Sequence, residues 1–381
     1  MTRRDLAKIA TIAAASPMGA QNAKTVNRGA LDGFEKKVSI SDFDSLVLTL
    51  RDYQSAKLAL TFRAQSKKDA EIWQAKLRAK VTELVGGFDY PRVPLSPQVL
   101  ETRDFPTYTR SKIVFSSRPG SMVLIYLLTP KSKGPHPVTI CIPGHGRGAD
   151  DVVGIAEDGS DRTQRVGYEY DFGIQCVENG MAAIAIEPLG FGCRRDEKSR
   201  AHGPTTSSCQ PAAGAALLLG QTMIGWRVWD IMKTVDWIAT QPALDAKRIG
   251  VMGISGGGTC SLFSAALDTR IKASMVSCYL NTFRDSIMSM SHCIDNYVPG
   301  ILNWAEMYDV AGLIAPRPLF AESGLKDTIF PIQSANASFE KVKHIYGVFG
   351  AQDKLGREVF DGPHEFHGAL GIPFMAKALS A

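Results

Sequence analysis

The sequence lacks any apolar run of membrane-spanning length, since no stretch reaches the roughly 18 residues that a transmembrane helix needs. It also has no block of about five or six basic residues and no alternation of basic with aromatic residues. The excess of positive charge is small, with 43 Lys and Arg residues against 38 Asp and Glu residues. These absences argue against a membrane span and against nucleic-acid binding.

Cysteine is present but forms no recognisable framework. The seven cysteines are odd in number, irregularly spaced and without a CxxC pair, which argues against a disulfide scaffold. Cys141, Cys260 and Cys278 stand in apolar runs, where a cysteine is usually a small buried hydrophobic residue. Cys193 and Cys209 flank a polar loop, and they would pair only in an oxidising compartment and only if the fold brings them close.

The N-terminus has the pattern of a targeting segment. Arg3 and Arg4 precede a mildly hydrophobic run of small residues, Ile9 to Ala15, which is typical of a twin-arginine export signal. The aromatic residue usual in that motif is missing. We expect residues 1–23 to be an export signal that directs the chain to the periplasm, and the alternative is a basic tail on a cytoplasmic protein.

The remaining residues divide into an extension and a main domain. In the charged, amphipathic segment 41–84, Ile72, Leu77, Val81 and Leu84 recur at helical spacing. One or two helices are therefore predicted in an N-terminal helical extension over residues 24–97, which ends in a proline-rich stretch. Residues 98–381 then form the main domain.

The main domain alternates between strand and helix patterns. Strands are predicted over 111–115, 122–128, 138–142, 181–186, 248–252, 271–277 and 317–322. Helices are predicted over 222–241 and 259–267. This alternation predicts an α/β fold with a mainly parallel central sheet and helices on both faces. The first strands are joined by short turns and are expected to form an antiparallel edge.

A serine pattern lies where the predicted strand 248–252 meets the predicted helix 259–267. Gly253-Ile254-Ser255-Gly256-Gly257 matches G-x-S-x-G, the pattern of a sharp strand-to-helix turn that exposes a nucleophilic serine. The pattern is weak alone, but here it has the strand and the helix that the turn requires. Ser255 is therefore predicted to be a catalytic nucleophile, against the plainer interpretation of a capping serine in a glycine-rich turn.

A serine nucleophile needs a base and a carboxylate that orients the base, and in this type of turn they follow the serine in the order acid, histidine. Asp327 lies just after the predicted strand 317–322, and His364 follows Gly362-Pro363 near the C-terminus. We expect these two residues to complete a triad with Ser255. The competing acids are Glu322, Asp285 and Asp295, and the competing base is His367.

A second glycine-rich loop, Gly144-His145-Gly146-Arg147-Gly148, follows the predicted strand 138–142. Its position predicts an oxyanion hole formed by the backbone N–H groups of Arg147 and Gly256. With Ala149 the loop also matches the dinucleotide fingerprint G-x-G-x-x-A, but no helix pattern and no acidic strand end follow at the required spacing. Nucleotide binding is therefore not expected, and no cofactor is predicted.

Residue types that bind metals are also present. The possible ligands are His292, Cys293, His364 and His367. His364 and His367 are three residues apart, but the segment between Pro363 and Gly368 is not expected to be helical. Their spacing therefore does not indicate a metal site. We predict no metal site. His292 is expected to line a pocket or to pack in the interior.

With these residues in place, the chain resembles the dienelactone-hydrolase-like and acetyl-xylan-esterase-like branch of the α/β-hydrolase superfamily, from about Phe105 onward. Besides the serine motif, the resemblance rests on His145-Gly146, Pro188-Leu189-Gly190-Phe191-Gly192, Arg227-Val228-Trp229-Asp230, Asn296-Tyr297-Val298-Pro299-Gly300, Ala315-Pro316-Arg317-Pro318 and Gly362-Pro363-His364-Glu365-Phe366. It implies the α/β-hydrolase fold, cofactor-free hydrolysis of carboxylic esters, often deacetylation of carbohydrates, and triad roles for Ser255, Asp327 and His364. One departure is that three glycines follow Ser255.

Three hypotheses of function follow. The first is a serine esterase that cleaves a small-molecule or carbohydrate ester through an acyl-enzyme. The second is a peptidase or amidase on the same fold, and the third is a binding protein with a decayed site. The polar segment 191–220 is expected to cover the site and to select the substrate.

Overall fold

Residues 29–380 are described by the computed structural model, and they fall into two units that divide between residues 54 and 55. The first unit contains two short 3-10 helices, Gly29–Leu31 and Ile40–Phe43, and most of the helix Ser45–Ser55. The export signal predicted at 1–23 lies outside the described residues. Between residues 29 and 380, no helix is both long and apolar enough to cross a membrane.

The second unit is built around a sheet that has nine strands among the described residues. These are β1 (Gln98–Asp104), β2 (Tyr108–Arg118), β3 (Ser121–Pro130), β4 (His136–Ile142), β5 (Ala182–Ile186), β6 (Leu244–Ile254), β7 (Ile271–Ser277), β8 (Leu319–Gly324) and β9 (Leu355–Phe360). They lie in the order β1-β2-β3-β5-β4-β6-β7-β8-β9. The first three pairs, β1–β2, β2–β3 and β3–β5, are antiparallel. The other five pairs, from β5–β4 to β8–β9, are parallel. The predicted α/β class, with a mainly parallel sheet and an antiparallel edge, is confirmed.

Helices pack on both faces of this sheet. Outside the first unit they are Lys67–Leu84, Ala149–Val152, Phe172–Glu178, Glu197–Ala201, Cys209–Leu218, Met223–Ile238, Gly256–Leu267, Met307–Gly312, Ile332–Val348 and Gly371–Ser380. Because both faces are covered, central strands lose the alternation of polar and apolar residues, and all five residues of β5 are buried. Consecutive residues still point to opposite faces: Ile140 belongs to one hydrophobic cluster and Cys141 to the other.

The helix Lys67–Leu84 forms where the sequence predicts helical spacing. Ser66 caps its N-terminus by accepting a hydrogen bond from the Asp69 N–H at 3.2 Å. Its buried residues include Trp73, Leu77 and Val81, which belong to the larger hydrophobic cluster. The helix is therefore held within the second unit mainly by burial of its apolar face.

Two strands, β1 and β9, are absent from the sequence prediction. Every residue of β1 is exposed, because it is an edge strand whose side chains contact no second layer. Strand β9 lies at the opposite edge and is only partly buried. Neither segment has the hydrophobic pattern that identifies a buried strand, so their pairing depends on the backbone of the neighbouring strand.

Candidate active site

Ser255 stands at the carboxyl end of β6, directly before the helix Gly256–Leu267. Its backbone has φ 55° and ψ −120°, a conformation that residues other than glycine rarely adopt. The turn is tight: a Cβ added to Gly257 would lie 2.0 Å from the carbonyl oxygen of Ile142 in the neighbouring strand β4. A hydrogen bond of 3.0 Å from the Ser255 N–H to the Ser277 carbonyl holds the turn against β7. The side chain of Ser255 therefore projects from a strained turn at the edge where the parallel strands end.

Asp327 and His364 lie side by side beyond the ends of β8 and β9. The distance between Asp327 Oδ2 and His364 Nδ1 is 2.8 Å. The other carboxylate oxygen, Oδ1, accepts hydrogen bonds from the backbone N–H groups of Ile329 at 2.8 Å and Phe330 at 3.0 Å. Asp327 is buried, and these three contacts fix its orientation. The carboxylate can therefore hold one tautomer of His364, with the proton on Nδ1.

Two aromatic rings stack nearly parallel to the imidazole of His364. The centroid separation is 6.3 Å for Tyr168 and 5.7 Å for Phe330. The remaining nitrogen, Nε2, is buried and has no hydrogen-bond partner among the described residues. A neutral imidazole with this tautomer has a free lone pair on Nε2, which is what a general base requires.

Ser255 and His364 share one cavity of about 360 Å³. The cavity is lined by His145, Tyr168, Ser255, Met290, Ser291, His292, Cys293, Ile329 and His364. Four consecutive lining residues, 290–293, come from a loop that no motif in the sequence marks. The segment 191–220, which we expected to cover the site, contributes no residue to this lining. The segment instead contacts a lining residue from outside the cavity: the Phe191 ring packs on His145 with a centroid separation of 4.6 Å.

The competing acids and the competing histidine have other partners. Glu322 accepts hydrogen bonds from the hydroxyl of Ser277 at 2.6 Å and from two backbone N–H groups of the loop 367–368. His367 lies 2.6 Å from a carboxylate oxygen of Glu358 and stacks on Phe360. These groups tie the C-terminal loop to β8 and β9. Asp285 pairs with Arg284, and Asp295 pairs with Arg227.

The two predicted oxyanion donors, Gly256 and Arg147, differ in whether their backbone N–H groups already have an acceptor. Gly256 is the first residue of its helix, so its N–H has no acceptor within that helix. The backbone N–H of the other predicted donor, Arg147, is engaged: it donates to Asp151 Oδ2 at 3.1 Å, and the Arg147 side chain also pairs with that carboxylate. In the same loop the N–H of His145 has no hydrogen-bond partner among the described residues. That loop faces Gly256, since a Cβ added there would lie 3.3 Å from His145 Nδ1.

Two residues of the site, Tyr168 and Glu169, belong to no motif in the sequence. The Tyr168 hydroxyl donates to the carbonyl oxygen of His145 at 2.6 Å, and Glu169 accepts a hydrogen bond of 2.7 Å from the Gly144 N–H. Burial raises the pKa of Glu169 to about 8 against the opposing effect of that hydrogen bond. Together the two side chains fix the loop that follows β4. Each is a single polar residue in a stretch that contains glycine and arginine and matches no motif, so the sequence offered no signal for either of them.

The residues considered as metal ligands do not form one group. His364 and His367 bind separate carboxylates, those of Asp327 and Glu358. His292 lines the cavity, as one of the two expectations for it stated, and burial lowers its pKa. Cys293 instead lies near His145, at 3.2 Å from Nε2.

A mainly parallel sheet with a serine on a strained strand-to-helix turn defines the α/β-hydrolase class. The chain belongs to the Abhydrolase family, whose sequence profile matches residues 40–349. That match includes Ser255 and Asp327 and ends before His364.

Individual relatives agree with this membership. The chain is 25% identical over 289 residues to "Putative hydrolase YtaP" of Bacillus subtilis (strain 168), a match that covers 74% of this chain and 90% of that protein. A "putative acetyl xylan esterase" from Bacteroides fragilis NCTC 9343 has a similar structure, with a TM-score of 0.75 and 18% identity over 89% of this chain and 95% of the other. A glucuronoyl esterase from Solibacter usitatus has a TM-score of 0.63 and 14% identity, covering 85% of this chain and 97% of the other. At these identities the structural matches show the fold alone, and the predicted resemblance to α/β-hydrolases is confirmed.

Proposed function

We propose that this protein is a serine hydrolase of carboxylic esters, in which Ser255 is the nucleophile, His364 the base and Asp327 the carboxylate that orients the base. The observation that carries the proposal is the hydrogen-bonded pair Asp327–His364 at 2.8 Å, whose free Nε2 shares a cavity with Ser255. The strained turn at Ser255 supports it, because such turns present a nucleophile at the sheet edge.

The chemistry then proceeds through an acyl-enzyme. His364 accepts the hydroxyl proton of Ser255 as its Oγ attacks the ester carbonyl carbon. The resulting imidazolium is stabilised by Asp327, and it gives the proton to the alkoxide as the ester C–O bond breaks. A water molecule then attacks the acyl carbon and loses a proton to His364. His364 gives that proton to Ser255 Oγ as the bond between Oγ and the acyl carbon breaks, which releases the carboxylic acid and free Ser255.

The oxyanion of each tetrahedral intermediate needs hydrogen-bond donors. We propose the N–H groups of Gly256 and His145, since the N–H of Arg147 is engaged by Asp151. Loss of one such donor typically costs about 3 kcal/mol of transition-state stabilisation. The hydrogen bonds from the Gly144 N–H to Glu169 and from the Tyr168 hydroxyl to the His145 carbonyl would hold the second donor in place.

For the substrate we propose an acetyl ester of a carbohydrate. The support is the similarity of fold to an acetyl xylan esterase and to glucuronoyl esterases, together with the motifs on which the sequence resemblance rests. A cavity of about 360 Å³ accommodates a small acyl group and part of one sugar ring. A panel of acetylated mono- and oligosaccharides, compared with methyl esters of uronic acids, measures this preference.

The test of the proposal is hydrolysis of p-nitrophenyl acetate by Ser255→Ala. We expect kcat to fall by a factor on the order of 10⁴ or more, because no other group replaces the nucleophile. Ser291→Ala is the matched control, since Ser291 lines the same cavity and should retain most of the activity. Activity of Ser255→Ala close to that of the wild type would refute the assignment.

The alternative functions predict different results in the same assay. A peptidase or amidase would cleave the matching p-nitroanilide at a rate comparable with the ester, and a binding protein with a decayed site would cleave neither. We expect hydrolysis of the ester only, because p-nitrophenolate leaves without a proton whereas the nitrogen of the anilide must be protonated before it leaves.

We also propose that residues 1–23 direct export to the periplasm. The support is the pair Arg3-Arg4 ahead of a run of small apolar residues. Fractionation of cells that express the chain, with a variant in which both arginines are replaced by lysine, tests this. Equal amounts of both proteins in the periplasm would contradict it.

A further inference from the structure

A cluster of four ligand-type side chains lies beside the cavity of Ser255. They come from three separate segments: the loop after β4, the first turn of the helix Cys209–Leu218, and the 3-10 helix Ile294–Asn296 with the residue before it. The side chains are His145, Cys209, Cys293 and Asp295, and one ligand atom of each lies within 4.8 Å of the others. His145 and Cys293 are 148 positions apart in the chain, so no spacing motif marks the cluster.

Four of the six separations between these atoms are close to the edges of a tetrahedron of zinc ligands, and all six lie within 4.8 Å. His145 Nε2 lies 3.2 Å from Cys293 Sγ, 3.6 Å from Cys209 Sγ and 3.5 Å from Asp295 Oδ2. Cys209 Sγ lies 3.2 Å from the same carboxylate oxygen. Ligands at Zn–N and Zn–O distances of about 2.0–2.1 Å and Zn–S distances of about 2.3 Å are about 3.3–3.8 Å apart in tetrahedral geometry. A zinc ion would therefore fit between them with small shifts of the side chains.

The charges around the cluster favour thiolate. Arg227 lies 2.6 Å from Asp295 Oδ2 and 3.3 Å from Cys209 Sγ. Two thiolates and one carboxylate balance the charges of one guanidinium and one divalent cation.

We propose that this cluster binds a structural Zn²⁺ ion. Its ligands are Nε2 of His145, Sγ of Cys209, Sγ of Cys293 and Oδ2 of Asp295. Two thiolates, one imidazole and one carboxylate form a donor set suited to zinc rather than to magnesium or calcium. Both cysteines bind the metal as thiolates, so binding releases thiol protons to solvent and the affinity rises with pH. The expectation of no metal was based on a different set, His292, Cys293, His364 and His367, which shares only Cys293 with this cluster.

The ion would act on the pocket through His145. Coordination through Nε2 places the proton on Nδ1, the nitrogen that faces Gly256. It also joins the loop after β4 to the loop 290–293, and both line the cavity. Zinc is thus a positioning element of the pocket wall, and no reaction step passes through it. Its presence does not depend on the proposed esterase activity.

The test is the zinc content of the full-length protein, purified under reducing conditions without chelator and measured by mass spectrometry of the metal. We expect about one zinc per chain, and a loss of at least about 100-fold in zinc affinity for Cys293→Ser, which removes one ligand from a partly exposed position. Cys176→Ala is the matched control, since Cys176 is a buried cysteine outside the cluster, and it should retain the zinc.

A second measurement, made on the wild-type protein, tests the proposal even if Cys293→Ser fails to fold. Wild-type protein stripped by chelator and reloaded with Co²⁺ should show thiolate-to-cobalt absorption in the near ultraviolet and a raised melting temperature. Retention of zinc by Cys293→Ser, or no zinc and no cobalt spectrum in the folded wild type, overturns the proposal. So does a Cys209–Cys293 disulfide, seen as an intact mass lower by two hydrogens in protein that was never exposed to reductant and holds no zinc.

Discussion

The backbone of Ser255 has a φ of 55°, which is strained for a residue other than glycine. Close contacts with the surrounding backbone hold it in that conformation. Gly253 and Gly257 approach the carbonyl of Ile142 so closely that a Cβ on either would lie within 2.5 Å of its oxygen. Strain of this kind is typical of a functional position, because the rest of the fold stabilises it. At the scale of single residues, the site is therefore built by close packing of backbone as much as by side-chain chemistry.

Asp327→Asn tests the role of the carboxylate. The amide can still accept hydrogen bonds from the backbone N–H groups of Ile329 and Phe330, but it presents an N–H group to His364 and favours the wrong tautomer. We expect kcat for p-nitrophenyl acetate to fall by a factor on the order of 10³–10⁴. The melting temperature should change little. Asp361→Asn is the control, since Asp361 pairs with Lys326 at the surface, and equal rates for the two variants would contradict the assignment.

The sequence predicts residues well where a motif includes its own structural context. Ser255 has a strand before it and a helix after it, so the turn could be predicted. Arg147 could not be assessed in this way, because the direction of its N–H depends on the position of Asp151 in the following helix. Tyr168 and Glu169 reach the site by tertiary folding alone.

At the scale of elements, the helix Lys67–Leu84 shows how burial selects a face. Leu77 is fully buried in the larger hydrophobic cluster, whereas Ile72 on the other side of the helix is 47% exposed. We expect Leu77→Ala to lower the free energy of unfolding by about 2–5 kcal/mol, since it leaves a cavity. Ile72→Ala should change it by about 0.5 kcal/mol or less. Urea denaturation measures both, and equal losses would contradict the packing described.

The elements that the sequence predicts differ from those it does not predict in the strength of their apolar pattern. The helix 223–238 and the strands β4 to β8 carry strong apolar patterns, and each lies within a few residues of its predicted range. Strands β1 and β9 are edge strands with few buried residues, so their sequences contain little of the pattern that identifies a strand.

At the scale of the whole molecule, the fold class follows from the alternation of elements, but the strand order does not. β4 lies between β5 and β6, so the chain crosses from β4 to β5 at one side and returns past β4 to β6. Such crossovers leave no local mark in the sequence, because they are decided by the packing of helices on the two faces. The cluster of His145, Cys209, Cys293 and Asp295 depends on that order and could not be predicted from spacing.

Buried carboxyl groups also give the whole molecule a pH dependence. Burial, followed by the nearby Asp150, raises the pKa of Glu187 from 4.5 to about 8. Between these values the group is protonated in the folded state and ionised in the unfolded state, so it makes stability fall as the pH rises from about 5 to about 8.

Glu187→Gln removes this dependence. We expect the free energy of unfolding of the variant, relative to the wild type, to increase by an amount on the order of 2–4 kcal/mol between pH about 5 and about 8. Urea denaturation at intermediate pH values measures the change. The surface variant Glu178→Gln is the control, and a constant difference between Glu187→Gln and the wild type across this range would contradict the account.

The central claim is that Ser255 is an activated nucleophile. Its most direct measurement is the reaction of the folded protein with a fluorophosphonate, followed by peptide mass spectrometry to locate the adduct. The account predicts a single adduct on Ser255, much slower formation in His364→Ala and none in Ser255→Ala. An adduct on another serine, or no adduct on the folded wild-type protein, would contradict it.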